Sequence, residues 1–542
     1  MSITEASTSC TDTAVFDEVG RLVELEDLMS RGSFDQVIDA YTPIFDEFDE
    51  INKIYVSKAL GLANLDTSRF EDGLRFIEHN LAAGGEPKEI LPLIAIAFIE
   101  MQLTDNALEI LSIFSKIDGC LAEGLFLTGR CKETKEELAE AAAFFSKSLD
   151  MGLANKFREE ALLRLSSIYS RLRMDLEAKC ILEELVEFNP SGLAYSELSR
   201  CYRVSGFSEL AVETAVIGVE KFSSELGWTR LVEARISAKQ FEEARADLQM
   251  AQNFFKRSHM LDRAAGKLMM YVQDWELARD LNLSAASGLA PFLISQDQQS
   301  PQKNLLPPLP VELAKETLMD LKWVLDKANV EFFLTFGTLL GCIRSGSFIG
   351  HDKDIDVGMW WETDRSRLRD ALNSSGRFKK VQDIYFQPRD EDQLTWTESF
   401  RHCGTGVAVD INFFKRDGLK TLAGFCDSPK EFIYQFPTFD LVEMIFQEMI
   451  VKVPDSATTH LEAIYGESWQ VPLANFDTVV MAQNLTNDSR CVSDAYGFGR
   501  LYDTLVCADW DRSKAYLDYF LSRSEWPSPI ETELNTLRTI IA

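Results

Sequence analysis

The stretch FLTFGTLLGCIRSGSFIGHDKDIDVG, residues 333–358, decides how the C-terminal half of this chain is read. It opens on apolar residues that suit a short strand, turns at Gly337-Thr338, and closes on acids at alternating positions, Asp352, Asp354 and Asp356. Successive side chains of a strand point to opposite faces, so Asp354 and Asp356 share one face while Ile355 and Val357 enter a core. Two carboxylates held that close repel each other unless a cation lies between them. Magnesium, or manganese in its place, is the natural ion, because it takes carboxylates together with substrate phosphate oxygens. Asp352 extends the ligand set by one. An exposed acidic turn is the plain alternative for these three residues.

Working outward, GVAVDINFF (406–414) sets another acid, Asp410, inside an apolar β-like run. Aspartate is disfavoured there on propensity alone, so its placement asks for a chemical reason. A further strand-borne acid completes a metal clamp on attacking and leaving oxygens. The expected catalytic acids are therefore Asp354, Asp356 and Asp410, with Asp352 joining them as metal ligand. Gly337 lets the backbone approach a phosphate, and Thr338 offers a hydroxyl donor. Arg344, one helical turn beyond Gly341, is placed to take a phosphate bidentately, and Arg401 is a second candidate for an anion pocket. The bland alternative for both arginines is a solvated surface.

These residues together resemble the signature of the LicD and fukutin family, which has a nucleotidyltransferase fold. The family shows a Gly-Thr-Leu-Leu-Gly turn, an arginine, a Phe-Ile pair and a run of alternating aspartates. VAVDINFF is similar to its later metal-binding strand. VKVP ending at Pro454 and LEAIYGESWQVP (461–472) are similar to its closing segment. The likeness runs from about residue 315 to 475. Two departures stand out: Lys353 where many members have an acid, and Gly350-His351 where many have Pro-Trp. The resemblance implies transfer of a phospho-alcohol unit, phosphocholine or an alditol phosphate such as ribitol or glycerol phosphate. The donor would be CDP-activated and the acceptor a sugar hydroxyl of a surface polysaccharide or glycoconjugate. Nucleotidyl transfer to a small molecule or protein is a second reading within the same fold. An inactive interaction scaffold is a third.

N-terminal to this region the chain repeats. Val37, Gly73, Ala107, Ala141, Ala178, Ala211, Ala244 and Ala278 close similar short segments at intervals of 33 to 37 residues. That is close to the period of a tetratricopeptide helix pair, in which a small residue lets paired helices approach. The expected architecture is an all-α tetratricopeptide-like solenoid followed by an α/β (α+β) nucleotidyltransferase-fold domain. Residues 1–16 read as a flexible N-terminus and 17–290 as the repeats. A Pro/Gln-rich linker follows at 291–311, then the catalytic domain at 312–480 and a helical extension at 481–542. Such a solenoid offers a concave surface to a protein partner.

Bulk composition narrows the partners further. The 542 residues carry a formal net charge of −31, which disfavours nucleic acid and anionic lipid. An anionic substrate approaches such a chain only where a metal or local cations reverse the field. Ten cysteines without a C-x-x-C pair and five histidines argue against a structural zinc site. They fit a reduced, cytoplasmic setting. No segment reads as a signal peptide or a membrane span.

Overall fold

The computed structural model describes residues 9–172, 174–294, 310–350, 354–381, 395–424, 432–473, 475–523 and 526–541. The chain forms two compact units, Met1–Pro190 and Ser191–Ala542.

Both units contain paired helices of one design. The second helix of each pair begins at Phe34, Phe70, Thr104, Leu138, Asp175, Ser208, Phe241 or Trp275. The small or apolar residue picked out in sequence is the fourth residue of each, and all eight are buried. A side chain of that size at the helix crossing sets how closely the two axes approach. Five residues ahead of it the turn between the helices passes through positive φ, at Gly32, Ser68, Gln102, Glu136, Gly206, Lys239 and Gln273. Most of these are not glycine, so this part of the repeat is hidden in the sequence. In the second unit, Ser191, Ser224 and Ser258 each cap the first helix of a pair through their hydroxyl oxygens. The fold is thus an all-α, tetratricopeptide-like array followed by a mixed-sheet α/β domain.

The helices continue to Gly288, with a short further helix at Ala290–Ile294. Most of the expected linker, residues 295–309, lies outside the described residues. The helix Val311–Lys327 then opens the sheet domain. Its strands are β1 (Phe333–Leu334), β2 (Asp354–Trp360), β3 (Phe378–Lys380), β4 (Thr397–His402), β5 (Ala408–Asp417), β6 (Lys420–Gly424) and β7 (Ile433–Pro437). A separate hairpin pairs β8 (Leu441–Phe446) with β9 (Met449–Pro454). The main sheet runs β1-β2-β5-β4-β3, with β6 and β7 continuing from the far end of β5. Among the described strands only β2 and β5 run parallel, and they lie side by side in the sheet.

One face of the sheet carries Ile355, Val357, Val409, Ile411 and Phe400, all buried. The helices Val311–Lys327 and Arg365–Ser374 close this back face through polar contacts. Asp320 accepts from His402 at 3.0 Å, and Arg369 clasps both oxygens of the fully buried Glu398 at 2.6 and 2.9 Å. The opposite, front face is divided. Toward the end of β2 and β5 it packs Phe333, Phe336, Phe414 and Phe439 into an aromatic layer. At the start of the same strands it carries acids.

The last helices do not form an isolated tail. The helix Arg490–Val506 packs on Trp275–Gly288 and also touches His259–Tyr271. Asn282, fully buried, donates to the Ala495 carbonyl at 2.8 Å and accepts from Arg263 at 3.1 Å. Arg263 in turn clasps both carboxylate oxygens of Asp503, at 3.2 and 2.8 Å. Helices Trp510–Ser522 and Ser528–Ile540 follow, and Ser287 bonds Glu533 at 2.8 Å. The sheet domain is therefore inserted into the helical array, which resumes after it. Among the described residues no helix is long and apolar enough to cross a membrane.

Candidate active site

The parallel register places Asp356 directly opposite Asp410. Directly opposed residues project from the same face, so the two carboxylates stand side by side on the front of the sheet, half-buried. Asp354 precedes them by one register step, opposite Ala408. Among the described residues no three acidic, histidine or cysteine side chains gather into a metal-holding group. Asp352, with His351 and Lys353, lies outside the described residues.

Each of the two paired acids has a dedicated hydrogen-bond donor. The Gly337 amide donates to Asp356 Oδ2 at 3.0 Å, and the Ser399 hydroxyl donates to Asp410 Oδ1 at 2.6 Å. Withdrawal from water pushes the Asp410 carboxyl above its ordinary range, with the Ser399 hydrogen bond acting the other way. Two adjacent acids, one reluctant to ionise, form a pair that a divalent cation would stabilise. Their hard oxygen donors fit magnesium, which binds through one or two carboxylates plus substrate oxygens.

Gly337 and Thr338 are not in a free turn. They are the second and third residues of the helix Phe336–Ser345, which starts abruptly after β1. Phe336, at the break, has φ of +41°, a region bulky residues avoid. That conformation aims the next amide at Asp356. The Thr338 hydroxyl, expected to meet a phosphate, instead accepts from the Asp356 amide at 2.8 Å, and Thr338 is 1% exposed. Both residues hold the acid strand, which is a different task from the one their types suggested. Thr335, just before the break, bonds the buried His460 ring at 3.3 Å. Gly341 lies where a Cβ would come within 2.5 Å of the Ser347 carbonyl, so the chain returning to β2 packs directly on the helix.

Arg344 sits in the last turn of that helix, half-exposed, its side chain making no hydrogen bond to another described residue. Arg401 is on β4, two residues from Ser399 and so on the same front face, and donates to the Gly406 carbonyl at 2.9 Å. Ser399 and His460 went unnoticed in the sequence. Serine opposite aspartate becomes visible only once the β4–β5 register is known.

With this geometry in view, comparison with known proteins is specific. Residues 329–456 match the family described as LicD/FKTN/FKRP, nucleotidyltransferase domain. The ribitol-5-phosphate transferase FKTN of Macaca fascicularis is 31% identical over 174 residues, which cover 30% of this chain and 34% of that protein. The Homo sapiens protein of the same name is 30% identical over the same shares. The chain thus spans about a third of the length of the curated relatives it matches. Among solved structures, a tetratricopeptide repeat protein from Parabacteroides merdae aligns over 47% of this chain and 99% of its own, at 16% identity and a TM-score of 0.32. The matched segment, residues 329–456, contains the strained helix start, both paired acids and Ser399, and it is this part of the chain that is similar to the LicD/FKTN/FKRP nucleotidyltransferase domain.

Proposed function

We propose that this chain is a metal-dependent phosphotransferase that moves a phospho-alcohol unit from a CDP-activated donor to a sugar hydroxyl. The observation that carries this reading is the Asp356–Asp410 pair within a segment similar to ribitol-5-phosphate transferases. The acidic residues would hold magnesium or manganese, which when bound neutralises phosphate charge and steadies the in-line geometry. Asp356 is fixed by the Gly337 amide, so its carboxylate cannot swing away when substrate enters. Asp410 engages Ser399 through Oδ1, leaving Oδ2 for the acceptor. In this reading Oδ2 takes the proton of the sugar hydroxyl as its oxygen attacks the phosphorus attached to the alcohol. The new P–O bond forms, the bond to the bridging oxygen of the diphosphate breaks, and CMP leaves with that electron pair. A ribitol, glycerol or choline phosphate unit meets the same requirements, and the acceptor is a polysaccharide or glycoconjugate. The helical repeats would supply a concave surface for a protein partner.

The test is CMP release by the full chain from CDP-ribitol, CDP-glycerol and CDP-choline, with and without magnesium. Asp356→Asn and Asp410→Asn are expected to abolish magnesium-dependent release while the helical circular dichroism stays unchanged. Full turnover by either variant overturns the assignment. Release of pyrophosphate from CTP instead would mark a nucleotidyl transfer.

A further inference from the structure

Arg365 is the first residue of the helix Arg365–Ser374, and it is 6% exposed. A guanidinium so placed normally meets a carboxylate, because burying an unpaired charge is costly. Here its central carbon lies over two rings instead, 3.7 Å from the Phe413 centroid and 4.7 Å from that of Trp361. Nη1 donates to the Thr395 carbonyl. Nε and Nη2 are buried and have no hydrogen-bond partner among the described residues. Burial pulls the pKa down to about 10, with Glu398 acting the other way, so the group is still charged at neutral pH.

Those two nitrogens form the edge of the fork that takes a carboxylate bidentately. The same edge is in use elsewhere in this chain. Arg369 Nε and Nη2 hold Glu398 at 2.9 and 2.6 Å, and Arg263 Nε and Nη2 hold Asp503 at 3.2 and 2.8 Å. Next to the Arg365 contact, Thr395 Oγ1 and Trp396 Nε1 are also buried without a hydrogen-bond partner among the described residues. The Trp361 and Trp396 rings close the cluster, with centroids 4.4 Å apart. Three of these four atoms can only donate, and the hydroxyl can donate as well. Donors gathered at a buried positive charge ask for an acceptor of negative charge, which a ring face does not give to in-plane N–H groups. The cluster is on the back of the sheet, because Phe413 follows Ile411 by two residues along β5. It is therefore separate from Asp356 and Asp410 on the front. Glu362 and Asp364, which lead into Arg365, are exposed, so the cluster lies close beneath the surface.

We propose that Arg365, Thr395 and Trp396 form an internal binding site for a small oxyanion that presents two oxygens to the Nε–Nη2 edge. A small carboxylate and inorganic phosphate share that chemistry. The assignment stands independently of the phosphotransferase reading. An anion bound there ties the start of the helix Arg365–Ser374 to the entry of β4, the strand that carries Ser399.

Thermal melts of the full chain, in a buffer without metal or oxyanions and at constant ionic strength, test the site with formate, inorganic phosphate and chloride in turn. The wild type is expected to melt a few degrees higher in formate or phosphate than in chloride, as a ligand of the folded state requires. The larger of the two shifts tells carboxylate from phosphate. Arg365→Lys keeps the charge but lacks the fork, and is expected to lose the shift. Trp396→Phe keeps a ring in place and removes one donor, and is expected to weaken the apparent Kd severalfold. It carries the test if the lysine variant does not fold. An equal shift in chloride overturns the oxyanion, since a point charge then suffices. A shift that survives undiminished in both variants puts the anion elsewhere and overturns the site, as does a wild type that melts alike in all three salts.

Discussion

Ser399 and Asp410 stand directly opposite each other on β4 and β5, and the serine hydroxyl donates to Asp410 Oδ1 at 2.6 Å. The bond holds the carboxylate by Oδ1 and so distinguishes its two oxygens. Removing such a supporting donor commonly costs about 10- to 100-fold in metal affinity or activity. Ser399→Ala is therefore expected to lower kcat for CMP release by about that factor, with KM for the CDP donor little changed. Ser399→Thr keeps the hydroxyl and is expected to retain most of the rate. An equal loss in both variants would point to a packing role for Ser399.

Gly358 stands two residues beyond Asp356, and β1 lays the Phe333 ring directly over it. A Cβ at Gly358 would come within 2.3 Å of that ring. The ring cannot retreat, because Trp360, Phe414 and Phe439 surround it. Gly358→Ala is expected to destabilise the sheet domain by about 1–3 kcal/mol, the usual cost of overpacking. Because β2 shifts with it, activity should fall further than stability does. A thermal melt and a CMP-release assay on one preparation check both halves, and an unchanged melting temperature would show that β1 yields.

The placement of Asp354 and Asp356 on one face was legible because a strand's period of two leaves a direct trace in DIDVG, and an aspartate inside an apolar run, as at Asp410, is unusual enough to be conspicuous. The repeats were legible for a similar reason: a small residue at a helix crossing recurs with the unit length. What stayed hidden depends on pairing between distant segments. Nothing in TESFRH announces that Ser399 faces Asp410 or that Arg401 faces Lys379, since register is a property of two strands at once. Thr338 misled because a hydroxyl beside glycine suits a phosphate as well as a backbone amide, and only burial separates the two. The return of Arg490–Val506 to the repeats was equally silent, as an amphipathic helix does not name the surface it covers.

Asn282 tests that return. It is fully buried at the seam, donating to the Ala495 carbonyl and accepting from Arg263. Its replacement by leucine keeps the branching of the side chain but leaves the Ala495 carbonyl without this donor, at an expected cost of about 1–3 kcal/mol. Hydrogen exchange should then speed up in the helices 490–506 and 275–288 together. Faster exchange in only one of them would show that the seam is not a cooperative unit.

His460 links the stability of the site to pH. Its ring stacks on Phe436 at 4.3 Å and 13°, Nε2 meets Thr335, and buried Nδ1 has no hydrogen-bond partner. Burial pulls its pKa down to about 3. An unfolded histidine titrates near 6.5, so between these values the unfolded state holds the extra proton and stability rises with pH. The contribution is complete above about pH 6.5 and is lost as pH falls toward 3, by at most about 1.4 kcal/mol per unit. His460→Phe keeps the stack and removes the proton site. Amide protection in the helix Ala457–Tyr465, corrected for intrinsic exchange, should decline from pH 7 to pH 5 in the wild type and more shallowly in the variant. Parallel declines would assign the pH response to another group. If protection in the variant is also lower at pH 7, the difference measures the Thr335 hydrogen bond that holds the strained start at Phe336.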